Sequence, residues 1–198
     1  MPRLDFWYEF ASTYSYLSAM RIGEMAGEAG VEVHWRPFLL GPILKKQGWD
    51  TSPFKVLKDK GGYMVRDMER ICAARGLEFT MPDNFPQNGL NAARTALIAS
   101  DEGWAEPFTQ AIYLAEYANS LDISDESVLS DCLKQAKRSP SDYLTRIAAL
   151  EIKERFKRQT QEAMSLGIFG APTFVCQDGE MFWGDDRLEQ ALAWAVRE

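Results

Sequence analysis

Three short runs hold the residue types that can do chemistry: Ser12-Thr13-Tyr14-Ser15, Gly170-Ala171-Pro172-Thr173-Phe174 and Gly184-Asp185-Asp186-Arg187. Ser12 ends a strand-like stretch and opens a helical one. Its hydroxyl therefore stands where free backbone N–H groups and the positive end of a helix dipole favour an anion. The same field lowers the pKa of a cysteine placed there. Serine occupies the position here, so a thiolate at this spot must come from outside the chain. A plainer job for such a serine is to cap the helix, and Ser15 is read mainly that way. Ala171-Pro172 feeds a short β-branched and aromatic run. Proline has no N–H for a ladder, so it belongs at a strand start or an edge, and an X-Pro bond can be cis at low cost. Asp185 and Asp186 stand just before the last helical segment, where N-cap carboxylates belong.

The elements that must position these groups are legible in outline. Leu4, Phe6, Tyr8 and Phe10 alternate with Asp5, Trp7 and Glu9, the period of a strand at least half buried. A helix follows to about Gly30, and Val31–Pro37 reads as a second strand, parallel to the first if the helix is a crossover. Residues 41–62 read as irregular, rich in Gly, Pro and Lys. Helical periodicity then dominates, with one helix from Tyr63 to Arg75, one from Asn88 to Ser100, starts at Ser124 and Ser139, and a final stretch ending at Gly167. Thr173–Cys176 is a strand, Asp178-Gly179 a hairpin turn into Glu180–Trp183, and Arg187–Arg197 a last helix. The order βαβ, helical block, ββα predicts an α/β fold: a thioredoxin-like domain with a large all-helical domain inserted after the second strand. The expected division is 1–40 plus 167–198 for the first and 41–166 for the second.

The bulk numbers narrow the function classes. The 198 residues suffice for a sizeable core, and 46% hydrophobic and 12% aromatic content argue for a globular chain. A net charge of -7 without a basic run argues against nucleic acid as a partner, leaving room for a local cationic spot. No stretch approaches the roughly 18 apolar residues of a membrane span, so no membrane is expected. The N-terminus lacks the marks of a signal peptide, and the cytoplasm is the expected compartment. Cys72, Cys132 and Cys176 form no C-x-x-C pair and are read as packed thiols. With His34 the only histidine, read as packed, neither a Ser-His-Asp triad nor a His-rich metal site has material. No metal is expected.

The runs Ser12-Thr-Tyr-Ser-Tyr-Leu, Arg36-Pro-Phe-Leu-Leu-Gly-Pro-Ile, Lys60-Gly-Gly-Tyr-Met, Gly170-Ala-Pro-Thr-Phe and Trp183-Gly-Asp-Asp-Arg-Leu occur in family order. With them the chain resembles the DsbA-like group that contains 2-hydroxychromene-2-carboxylate isomerase and the kappa-class glutathione transferases, over essentially its whole length. The resemblance implies a glutathione-dependent cytoplasmic enzyme, typically a homodimer, acting on a small aromatic substrate by cis–trans isomerisation. It implies that Ser12 holds the glutathione thiolate, that the Ala171-Pro172 backbone lies against the cysteinyl group, and that Asp185 and Asp186 meet the γ-glutamyl end. Asp186 matches the family pattern, while Asp185 stands where Ser or Asn is usual. Lys60 corresponds to a lysine near the glycine carboxylate, with a solvated lysine the competing reading. The family's Asn in the preceding loop is missing. Trp49 and Asp50 follow Gly48 there; an ionised Asp50 cannot donate a hydrogen bond, and Trp49 is read either as an aromatic platform or as core. Alternatives are a kappa-like transferase or peroxidase, or a relative that binds a thiol or peptide without turnover. A disulfide oxidoreductase is the weakest reading, since both site cysteines are absent.

Overall fold

The computed structural model describes residues 1–197. Its elements run β1 (Arg3–Tyr8), α1 (Thr13–Ala19), α2 (Ile22–Ala29), β2 (Glu32–Pro37), α3 (Leu40–Lys46), α4 (Pro53–Val56), α5 (Lys58–Arg75), α6 (Leu90–Asp101) and α7 (Ala105–Tyr113). A π-helical turn, Leu114–Ala118, follows α7. Then come α8 (Glu126–Gln135), α9 (Pro140–Ala148), α10 (Leu150–Ser165), β3 (Thr173–Cys176), β4 (Met181–Trp183), a 3₁₀ turn over Asp185–Arg187 and α11 (Leu188–Ala195). The sheet order is β2-β1-β3-β4, with β1 parallel to β2 and β3 antiparallel to both β1 and β4. This is the thioredoxin-like sheet with a helical block between its second and third strands.

β1 is central, and both of its faces are covered. Leu4, Phe6 and Tyr8 point into the larger core with Trp35, Ile98, Phe108, Tyr113 and Phe174. Trp7, wholly buried, points the other way, against Phe38, Ile43, Ala163, Ile168 and Val175. Stripping apolar area from water drives this arrangement at roughly 25 cal/mol per Å², which is why strict alternation with polar residues breaks down at Trp7. The larger core runs without a break from β1 and α11 into α5, α6, α7 and α8.

Three expectations need correction. The first helix is two, α1 and α2, broken at Met20–Arg21, where Arg21 turns its guanidinium towards Asp185 and Glu189. Residues 41–62 are largely helical. Pro42 falls in the first turn of α3, where a missing N–H costs nothing, and α5 begins at Lys58, five residues before Tyr63. Gly61 lies inside that helix because a Cβ there would come within 2.2 Å of the Phe54 carbonyl oxygen on α4. The helix start read at Ser124-Asp-Glu is present, with Asp125 as its cap, accepting from the Ser127 N–H. His34 is not packed; its side chain is 40% exposed, between Asp5 at 3.7 Å and Glu32 at 3.4 Å. The cysteines are buried and free as read, and burial pushes each thiol up to about 11. No helix among the described residues is long and apolar enough to cross a membrane.

Candidate functional site

The β1–α1 junction is an extended residue followed by a helix start. Ser12 has φ -98 and ψ 110, and its Oγ accepts from the Ser15 N–H at 3.2 Å. The same hydroxyl donates to the Ala171 carbonyl at 2.9 Å, across 159 residues of sequence. Ser12 is thus the cap of α1, and Ser15 contributes the capped N–H, not the cap that its type suggested. The Ala171-Pro172 bond is cis. The Pro172 carbonyl accepts from the Gly184 N–H at 3.0 Å, so the third chemistry-bearing run is tied to the second. Ser12, Ala171, Pro172 and the Gly184–Arg187 turn form one continuous bonded ledge.

The two aspartates of that turn differ. Asp185 is 5% exposed and accepts from Ser18 Oγ at 2.9 Å, Arg21 Nε at 3.2 Å and Arg75 at 2.7 Å. Arg21 also reaches the Asp185 carbonyl at 2.7 Å and pairs with Glu189 on α11. Asp186 has a 74% exposed side chain and, among the described residues, its one ion pair is with Arg187 at 3.6 Å. Neither aspartate caps α11: the turn is led by Gly184 at φ 107 and the helix by Arg187, without a side-chain cap on either. The N-cap expectation is corrected here, because the 3₁₀ turn displaces both carboxylates from the helix start. Gly184 is required, since φ 107 is costly for any side-chain-bearing residue.

Beneath the junction, Tyr113 donates to the Glu9 carbonyl at 2.8 Å and Tyr117 to the Phe10 carbonyl at 3.2 Å, fixing the residues that lead into Ser12. The Glu9 carboxylate accepts from the Leu40 N–H at the start of α3, yet burial pushes it up to about 7. Glu116, within the π turn, is wholly buried, and neither of its oxygens makes a hydrogen bond; Tyr117's proton is committed to Phe10. Burial raises Glu116 well above the usual carboxylate range, with Glu9 adding to the effect. Burial without a hydrogen-bond partner favours its protonated form.

The remaining expected residues lie elsewhere. Lys60 is exposed in the first turn of α5, Trp49 is half-buried after α3, and Asp50 is exposed beside it. Among the described residues no hydrogen bond or ion pair joins these three to the Ser12 ledge. Sequence reasoning missed Arg21, Arg75, Tyr113, Tyr117 and Glu116, which reach the site from far along the chain. It also missed that Phe169 and Trp183 pack beside Gly170, ring centroids 5.0 Å apart and tilted by 59°, both about half exposed. Gly170 permits this, because a Cβ there would lie 2.4 Å from the Trp183 Nε1. The aromatic residue preceding the Gly-X-Pro run and the one preceding Gly184 were the available signal. No group of His, Cys, Asp or Glu among the described residues is placed to hold a metal ion.

Comparisons with known proteins agree with this architecture. The DSBA-like thioredoxin domain family matches residues 3–193. A 2-hydroxychromene-2-carboxylate isomerase of Sphingobium xenophagum is 27% identical over 94% of this chain and 94% of its own. The human glutathione S-transferase kappa 1 is 26% identical over 96% of this chain and 89% of its own. A solved 2-hydroxychromene-2-carboxylate isomerase structure superposes with a TM-score of 0.86 at 24% identity, covering 97% of this chain and 93% of that one.

Proposed function

The chain belongs to the DSBA-like thioredoxin domain family, and on that premise we propose that it is a glutathione-dependent cis–trans isomerase of the 2-hydroxychromene-2-carboxylate type. The observation that carries the proposal is the Ser12 hydroxyl, held at 2.9 Å from the Ala171 carbonyl at the N-terminus of α1. The residues present fit the tripeptide. A hydroxyl and a helix start suit its thiolate, the Ala171-Pro172 backbone offers an edge for an added strand, and the exposed Asp186 carboxylate suits an ammonium. Bound there, glutathione supplies a thiolate that adds to an activated C=C, permits rotation about the resulting single bond and is expelled unchanged.

The protein's own work is to hold that anion and to exclude competing protons. Ser12 spends its hydrogen on Ala171 in this structure. When the Ala171 carbonyl takes up a ligand N–H, the Ser12 hydroxyl is freed to donate to sulfur. The buried cysteines do not compete, since each thiol is held near 11. On this reading Lys60 takes the glycine carboxylate, and Trp49 and Asp50 take the aromatic substrate, all three from the segment 41–166. Asp186 meets the γ-glutamyl ammonium from the segment 167–198, with Asp185 buried behind it on Ser18, Arg21 and Arg75. We place the enzyme in the cytoplasm as a homodimer.

The similarity to human glutathione S-transferase kappa 1 over 96% of the chain favours a second reading, transfer to an electrophile. Incubation with 2-hydroxychromene-2-carboxylate and substoichiometric glutathione separates the two. Isomerisation predicts many product molecules per glutathione and full recovery of the thiol. Consumption of one thiol per product would replace isomerisation by transfer, and binding without turnover would replace both.

A further inference from the structure

We propose that Arg75, reaching from the C-terminus of α5, is a positioning residue that neutralises Asp185 and thereby lets the Gly184–Arg187 turn accept a ligand carboxylate. The inference rests on the glutathione reading above. Asp185 introduces a fixed negative charge where the γ-glutamyl carboxylate is to sit. Left alone, a buried carboxylate at this turn would repel that group and carry a heavy desolvation cost. The structure answers this charge internally. Arg75 approaches Asp185 Oδ2 at 2.7 Å, and Arg21 approaches Oδ1 at 3.2 Å. Ser18 adds a neutral donor at 2.9 Å.

The two arginines are not equivalent. Arg21 is shared, because Glu189 takes part of its charge. Arg75 makes its one ion pair among the described residues with Asp185 and acts on Glu189 only at longer range. The remaining charged neighbours, Asp186 and Arg187, are exposed and pair weakly with each other. With Arg75 present, Arg21, Arg75, Asp185 and Glu189 sum to zero. Without it they sum to minus one at the point where an anion must dock. Arg75 does this from the helical segment, so α5 reaches the ligand turn without touching the ligand.

The test compares reduced glutathione with cysteinylglycine, which keeps the thiol and glycine carboxylate but lacks the γ-glutamyl group. Binding is read by calorimetry on the full chain. Arg75→Gln is expected to weaken glutathione roughly tenfold while leaving cysteinylglycine unchanged. Arg75→Gln combined with Asp185→Asn removes the uncompensated charge and is expected to recover glutathione binding to within about threefold of the parent. Arg75→Lys keeps the charge, is expected to hold most of the affinity, and covers the case in which the Gln variant fails to fold. Equal loss for both ligands, or no recovery in the double variant, would reduce Arg75 to a fold-stabilising residue and overturn the inference. Glutathione binding that is absent from the parent protein would instead overturn the reading on which the inference rests.

Discussion

The Ser12 ledge and the α3–α5 corner face the same proposed chemistry but are built on opposite terms. The ledge is bonded from every side: Ser12 to Ala171, Pro172 to Gly184, Ser18 and two arginines to Asp185, and two tyrosines to the carbonyls before Ser12. At the corner, Asp50, Phe54, Val56, Leu57 and Lys60 are all exposed, and Gly61 lets α4 rest on α5 backbone to backbone. A bonded ledge holds its groups in place before a ligand arrives, which is where electrostatic stabilisation of an anion gains most. An open corner contributes contact area and is free to vary with substrate. On the proposed reading, holding a thiolate falls to the bonded region and contact with the substrate to the exposed one.

The comparison is broken most directly by Ser12→Ala, which removes the donor. The expected loss is about 10²- to 10³-fold in kcat/KM, the scale for deleting one preorganised donor. Trp49→Ala and Asp50→Asn are expected to act mainly through KM. Similar losses at both places, measured on the isomerisation, would abolish the distinction. Next in size is the silence of the protein's own thiols. Thiols held near 11 carry a thiolate fraction roughly 10²-fold below that of a free cysteine at about pH 8. Native protein should therefore react slowly with a disulfide reagent, and all three should react after denaturation. Rapid native labelling would put a competing nucleophile back in play.

Beneath the ledge, Glu116 sharpens the comparison through pH. Its folded pKa is raised well above 4.5, so the folded state binds the extra proton. Stability therefore falls as pH rises above the unfolded value and levels off only past the folded one. Glu116→Gln removes that dependence. Its stability relative to the parent should improve by up to about 1.4 kcal/mol per pH unit above roughly pH 5, followed by urea denaturation across pH. A constant difference between the two proteins would contradict a raised Glu116 pKa. Smaller still are two glycine substitutions. Gly61→Ala drives a Cβ against backbone and should cost about 1–3 kcal/mol. Gly170→Ala meets only the half-exposed Trp183 ring, which can swing away. Its stability should change by less than about 1 kcal/mol, while tryptophan emission shifts. Equal costs would mean that the aromatic pair is as rigid as the helix corner.

Much of this was legible before the structure. β3 lies where Thr173–Cys176 was read, β1 and β2 are parallel, and the sheet and the helical block follow in the expected order, because period-2 and period-3.6 patterns report burial directly. The corner was misread because Gly, Pro and Lys score as breakers, whereas Pro42 sits in a helix's first turn and Gly61 serves a helix contact. The break at Arg21 and the fate of Asp185 were invisible for another reason. The partners that settle them, Asp185 for Arg21 and Arg75 for Asp185, lie 164 and 110 residues away, and no local pattern encodes such pairs. Glu116, buried within the π turn, carries no local sequence signal that separates it from an exposed helical glutamate.

The central claim is that Ser12 and the α1 N-terminus hold an external thiol as its anion. An ultraviolet difference titration of glutathione against the parent protein and Ser12→Ala tests it, with the protein's own thiols silent because burial holds them near 11. The account predicts a thiolate band in the parent at a pH well below that needed for free glutathione, lost in the variant. No band in the parent, or an equal band in both proteins, would contradict it.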